Sequence, residues 1–288
     1  MRVTLLGTGT AIPDGDRYQS GALVESADRS RRLLVDCGSG VVHRLAEAGV
    51  GPDEVDAVAL THTHLDHVAD LATLAKARVL AGEPALTVHG PRGAVETLDY
   101  LLAVDDLHER ASVTVREVDA GTFEAAGFSV TAREADHSTP TLGYRVADAF
   151  GDVDAEASAA TGASEAAGSG EYAAAVTFSG DTAASAAITD LADGSAVLVH
   201  DCAPPDRGAG PGGANGAESD VADGADHATP SELAGVLAGR EIGTVYLTHL
   251  GPRTWGREGA MTATVEKRFP GEVRIAHDLT TLEVGSEE

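Results

Sequence analysis

The run VDAVALTHTHLDH, Val55 to His67, constrains this chain more than any other stretch. Its first half is apolar and reads as a buried strand. Its second half delivers His62, His64, Asp66 and His67 within six positions. Imidazole and carboxylate are the ligands that a borderline divalent metal such as zinc prefers. Side chains two apart on an extended chain point the same way, so His62 and His64 can share one ion. Asp66 and His67 fall at the following turn and can face a second. A helix predicted to start at Val68 leaves Asp66 near its N-terminus, where a carboxylate is favoured. The bland alternative, a polar loop with surface histidines, leaves the H-x-H-x-D-H order at a strand end unexplained.

Short apolar runs and helical patterns alternate along the rest of the chain. Strands are predicted at 2–6, 21–26, 31–38, 55–63, 85–91, 173–181, 196–202 and 244–250, with several more inside 112–148. Helices are predicted at 41–49, 68–80, 93–104 and 229–240. This is an α/β chain, and 288 residues suit one large domain better than two small ones. Two stretches break the pattern. Residues 149–171 and 204–226 are acidic, rich in small residues and without apolar periodicity, so they read as surface loops.

Asp and Glu number 46 against 20 Lys and Arg, a formal net charge of −26, and only Lys76 and Lys267 are lysines. A surface this acidic repels itself unless salt screens it, which points to a salt-loving source. It also argues against a broad basic face for nucleic acid. Cys37 and Cys202 form no C-x-x-C pair and read as free thiols of a reducing cytoplasm. The chain opens directly on a strand pattern, without a signal peptide, and no apolar run approaches the roughly 20 residues needed to span a bilayer. A soluble, cytoplasmic protein is expected.

Three later residues extend the ligand set: His137 in EADHSTPTLGYRV, Asp181 in FSGDT and His249 in YLTHL, each at or just beyond a strand end. In this order the residues resemble the signature of the metallo-β-lactamase superfamily, and the resemblance spans nearly the whole chain. It implies a four-layer αβ/βα sandwich of two mixed sheets flanked by helices. It also implies that His62, His64 and His137 hold one metal, that Asp66, His67 and His249 hold another, and that Asp181 bridges them. Two divalent ions are expected, zinc first, with manganese or iron also suited to these ligands. Such a pair lowers the pKa of a bridging water, giving a hydroxide nucleophile that Asp66 orients or deprotonates. An internal echo, AVALTHTH against TVYLTHL, fits ligands contributed by two related halves.

Within the superfamily, GTGTAIP, VDCGSG, GYRV, SGDT and LVHDCAP are most similar to the ribonuclease Z-like phosphodiesterases. That group has a strand ending His-Glu and a helix introduced by His-Ser-Thr. The matching positions are His200-Asp201 and His227-Ala228-Thr229. By this resemblance His227 is the general acid for the leaving oxygen and Asp201 orients it; the competing reading makes His227 a helix-entry residue on a loop. Aspartate replaces the group's glutamate. A second departure concerns substrate. The tRNA-maturing members carry a basic arm, in many of them between the third and fourth motifs, and here that interval has no basic residue after Arg145. The expected substrate is therefore a small phosphodiester or RNA, with a sulfate ester or a lactone still open and a redox or non-catalytic metal protein the remaining alternative. The resemblance also implies a homodimer.

Other residues fall around this frame. Asp36 ends a strand and is expected to orient the first metal loop, or else to cap a turn. GTGTA, residues 7–11, reads as a tight turn beside the metals. His43 and His108 are expected at the surface. His89 and His277 end strands and are not expected to bind metal. Trp255 either covers substrate or packs.

Overall fold

The apolar runs become the strands of two seven-stranded sheets. A computed structural model describes residues 1–148, 173–203, 205–206 and 226–285. The acidic segments 149–171 and 204–226 lie outside the described residues, except for Pro205, Asp206 and Asp226. The first sheet holds β1 (Arg2–Gly7), β2 (Gly21–Glu25), β3 (Arg32–Val35), β4 (Ala57–Ala59), β5 (Ala85–Gly90) and β6 (Ser112–Glu117). The second holds β7 (Gly121–Ala125), β8 (Phe128–Glu134), β9 (Leu142–Asp148), β10 (Ala173–Phe178), β11 (Ser195–Asp201), β12 (Thr244–Thr248) and β13 (Glu272–Ile275). The last strand, β14 (Thr280–Glu283), returns to the first sheet beside β1. The sheet orders are β14-β1-β2-β3-β4-β5-β6 and β13-β12-β11-β10-β9-β8-β7.

Both sheets are mixed in the same way. Pairing is antiparallel from β14 through β3 and parallel from β3 through β6. It is antiparallel from β7 through β10 and parallel from β10 through β13. Strands β4 and β12, which carry the two Thr-His endings, both lie inside the parallel half of their sheet.

The burial pattern explains the continuous apolar runs. Leu33 and Val35 of β3, with Val197 and Val199 of β11, enter a core shared by the two sheets. Leu34 and Leu198 face outward into separate helix-covered cores. A strand buried on both faces must be apolar at every position. The first sheet is covered by α1 (Val41–Glu47), α2 (Leu65–Val68), α3 (Leu71–Ala81), α4 (Ala94–Leu102) and α5 (Leu107–Arg110), through Leu45, Leu74, Leu98 and Leu107. The second is covered by α6 (Ala186–Ala192), α7 (Pro230–Leu237) and α8 (Glu258–Val265), through Ala192, Leu233, Leu237 and Met261. Each fully buried leucine contributes roughly 1.5–3 kcal/mol. The layers run helix, sheet, sheet, helix, the expected αβ/βα sandwich.

One local expectation is corrected. The helix read at 68–80 divides into α2 and α3, so Asp66 lies inside the first turn of α2 rather than ahead of a helix. Asp70 explains the break. Its N–H donates to Cys37 O (3.0 Å), and its carboxylate accepts from Gly40 N (2.9 Å) and Val42 N (3.1 Å) at the start of α1. Among the described residues, no helix is long and apolar enough to cross a membrane. Cys37 and Cys202 are buried free thiols.

Candidate metal centre

Strand β4 stops at Ala59, and Thr61 anchors the ligand loop that follows. Its N–H donates to Asp36 Oδ1 (2.7 Å) and its hydroxyl to Asp36 Oδ2 (2.8 Å). The same carboxylate lies 2.8 Å from His67 Nδ1. A carboxylate only accepts, so His67 is protonated on Nδ1 and its metal-facing atom is Nε2. His62 Nδ1 is 3.1 Å from the Thr61 hydroxyl oxygen. That hydroxyl already gives its hydrogen to Asp36, so His62 donates from Nδ1 and presents Nε2 as well.

Three distant segments complete the cluster. His137 follows β8; its Nδ1 donates to Asp226 O (3.1 Å) and its Nε2 lies 3.3 Å from His64 Nδ1. Asp181 follows β10 behind Gly180. Gly180 has φ 62°, and a Cβ there would meet Thr61 Cβ at 3.0 Å, so this turn needs glycine. Asp181 approaches His67 Nε2 at 3.3 Å, His249 Nε2 at 3.4 Å and His62 Nε2 at 3.6 Å. His249 follows β12, and its Nε2 lies 3.2 Å from Asp66 Oδ2.

The seven residues fall into two groups whose ligand atoms lie within 4.8 Å of one another: His62, His64, His137 and Asp181, and Asp66, His67, Asp181 and His249. Asp181 is the one member they share, and a third such group joins it to Asp201, His227 and His249. His62 Nε2 and His67 Nε2 are buried and hydrogen-bond to nothing among the described residues. Buried imidazole nitrogens that face a carboxylate need positive charge between them, a proton or a metal ion. The donor set fits a divalent cation, and the electrostatics point the same way. Burial lowers the proton affinity of His249, but Asp181, Asp201 and Asp66 outweigh it and raise its pKa to about 10. Burial works to raise Asp181, yet His249, His67 and His62 hold it well below the usual carboxylate range.

Beside this cluster sits the pair Asp201 and His227. Asp201 ends β11 and is almost fully buried. Its Oδ2 lies 2.7 Å from His227 Nδ1, and its Oδ1 lies 3.5 Å from His249 Nδ1. Backbone N–H groups of Thr182 and Ala203 (3.1 and 3.0 Å) hold the carboxylate in place. The shorter aspartate therefore reaches His227 directly. Burial disfavours charge on His227, but the bond to Asp201 raises its pKa above the ordinary histidine value. Thr229 caps α7 with Glu232, which fixes the helix immediately after His227.

His64, Asp66, His137, Asp181, His227 and His249 line a cavity of about 490 Å³. Thr10 and Ile12 form part of its wall, which places the GTGTA turn beside the cluster. Arg253 also lines it and makes no ion pair among the described residues. The sequence alone did not single out this arginine; the available signal was a cation four residues past His249 in a strongly acidic chain. Trp255 is 57% exposed, so it does not pack. His89 is buried against Phe123, away from the cluster, and His277 meets Arg17. His43 and His108 are exposed.

A family model described as a beta-lactamase superfamily domain matches residues 31–250. The chain is 32% identical over 305 residues to Ribonuclease Z of Mycobacterium marinum, covering 99% of each chain. It is 30% identical over 305 residues to Ribonuclease Z of Mycobacterium bovis, covering 99% of this chain and 98% of the other. In fold it is similar to the metallo-beta-lactamase fold protein YhfI from Bacillus subtilis, with TM-score 0.73, 22% identity and 98% of each chain covered. It is likewise similar to human tRNase Z, short form, with TM-score 0.68, 20% identity, and 99% of this chain and 100% of that one covered.

Proposed function

The chain belongs to the β-lactamase superfamily and, within it, to the ribonuclease Z family, so it is a metal-dependent phosphodiesterase, and we propose that it works with two divalent ions, zinc foremost. His62, His64 and His137 would hold one ion, Asp66, His67 and His249 the other, and Asp181 both. The observation that carries this reading is the membership of Asp181 in both ligand groups. Charge is consistent with the count: the site's buried carboxylates Asp36, Asp66, Asp181 and Asp201 carry −4, which two divalent ions balance with the metal-facing imidazoles neutral, while a cationic His227 offsets the hydroxide nucleophile. Bound there, the ions supply Lewis-acid charge for the phosphoryl oxygens and acidify the attacking water.

The protein's own groups do the rest. Asp66 borders both His249 and the cavity and orients the nucleophile. His227 faces the same cavity with its Nδ1 held by Asp201, so its Nε2 proton is presented to the leaving oxygen. Arg253 pairs with a substrate phosphate. The substrate is a phosphodiester, RNA included. The absence of any basic residue between Arg145 and Asp181 favours a small phosphodiester, or an RNA end held at the cavity alone, over a tRNA gripped by a basic arm. By resemblance, the whole chain acts as one hydrolase domain in a cytoplasmic homodimer.

The test is a substrate panel in high salt: bis-p-nitrophenyl phosphate, p-nitrophenyl sulfate, a lactone and a precursor tRNA with a 3′ trailer. Zinc content is measured alongside. Phosphodiester cleavage with two zinc ions per chain is expected. Turnover of the sulfate or lactone alone overturns the substrate class; stable iron with a visible spectrum points instead to redox chemistry.

A further inference from the structure

We infer that Asp278 is a positioning residue of this centre: its carboxylate closes the loop from Thr8 to Tyr18 and so holds both His249 and one wall of the substrate cavity. The inference rests on the two-ion reading above.

Asp278 follows β13, far in sequence from every ligand, and its side chain is only 5% exposed. Oδ1 accepts from Thr8 N (3.0 Å) and from the Thr8 hydroxyl (2.8 Å). Oδ2 accepts from Tyr18 N (2.7 Å) and from Arg44 Nη2 (3.4 Å). Each oxygen receives two donors, the full capacity of a carboxylate. The two backbone donors are the two ends of one loop, and Thr10 and Ile12 between them line the cavity. Arg17 completes the knot, with Nη1 donating to Thr8 Oγ1 (2.5 Å) and to Ala276 O (2.6 Å). The Arg44 guanidinium lies 4.5 Å over the Tyr18 ring.

Thr8 is also the link to the metal cluster. Its carbonyl accepts from Leu250 N (2.9 Å), and Gly9 bridges to Leu250. Leu250 directly follows His249, whose backbone sits in the left-handed region at φ 57°. A non-glycine residue keeps that conformation only when its surroundings impose it. Asp278 to Thr8 to Leu250 is the chain of bonds that imposes it from one side. Asparagine at 278 would turn an N–H₂ toward a backbone N–H, that of Thr8 or of Tyr18, which can only donate.

The test is Asp278→Asn, read by equilibrium dialysis against buffered zinc with metal quantified by mass spectrometry, and by a circular dichroism melt. The expected variant is folded. It keeps one zinc with wild-type affinity, binds the second about 10–100-fold more weakly, and has a raised KM for bis-p-nitrophenyl phosphate. Asp278→Glu recovers part of the loss. On a His249→Ala background, Asp278→Asn costs no further metal affinity, because both act on the same ion. A folded Asp278→Asn protein with both affinities unchanged, or with both weakened equally, overturns the inference. If Asp278→Asn does not fold, Thr8→Val decides: it removes one hydroxyl, and a smaller loss confined to one ion is required. Wild-type protein that binds fewer than two zinc ions refutes the two-ion reading itself, before Asp278 enters.

Discussion

The ends of β4 and β12 meet at the same cluster, yet they are built in opposite ways. The β4 end packs four candidate ligands into His62–His67 and braces them through Thr61 and through Asp36 at the end of the adjacent strand β3. The β12 end brings a single candidate ligand, His249, on left-handed backbone, and its support comes from Thr8, Asp201 and Asp278. A dense motif needs only one adjacent strand end to brace it. A sparse one borrows geometry from the rest of the fold, and its weak points lie far away in sequence.

The largest effect should come from the residue that both ends share. Asp181→Ala is expected to lose both ions and all measurable turnover, whereas His62→Ala and His249→Ala each lose one. Metal content after gel filtration distinguishes these outcomes. If Asp181→Ala retains one tightly held ion, Asp181 does not join the two groups.

A smaller effect separates the metal cluster from the acid beside it. His227→Ala should keep both ions and slow cleavage of a poor leaving group by about 10²–10⁴-fold. Release of p-nitrophenolate, which needs little protonation, should change far less. Equal slowing of both substrates would return His227 to a helix-entry role.

These contrasts explain what the sequence makes legible. The strands show because burial on both faces leaves unbroken apolar runs, as in β11. The candidate ligands after β4 show because they are adjacent. Helices α6 and α8 and strands β13 and β14 escaped: their segments are short and weakly patterned, and tertiary packing of residues such as Ile188 and Met261 decides them. The split between α2 and α3 was hidden because its cause, the capping of α1 by Asp70, is a contact between segments about 30 residues apart. Asp278 looked like any aspartate in a chain full of them. Only the fold reveals that Thr8, Tyr18 and Arg44 all converge on it.

Substituting the carboxylate behind His227 should change the pH profile more than the maximum rate. Asp201 raises the pKa of His227, so the acid form persists to higher pH than an ordinary histidine allows. Cleavage of a poor leaving group should fall as pH rises through that raised pKa, the alkaline limb of a bell whose acid limb belongs to the attacking water. Asp201→Asn removes the stabilising charge, lowers the His227 pKa and moves the alkaline limb to lower pH. An unmoved limb, measured with the same substrate and full metal occupancy, would mean that the limb belongs to another group.

The smallest effect on the site should come from salt, although the fold itself should respond. With a net charge of −26, surface repulsion is long-ranged at low ionic strength, and the screening length falls from about 10 Å at 0.1 M to about 3 Å at 1 M. The charges at the ends of β4 and β12 are buried and paired, beyond the reach of that screening. Moving from 0.1 to 1 M KCl should therefore raise the melting temperature while leaving zinc affinity within about twofold. A gain of about 2 kcal/mol corresponds to roughly 4–8 °C for a chain approaching this size. A flat melting temperature would show that the acidic surface is not under strain and would remove the reason to place this protein in a salt-loving source. A zinc affinity that falls in step with salt would show instead that the ligand clusters are open to solvent ions, contrary to their burial.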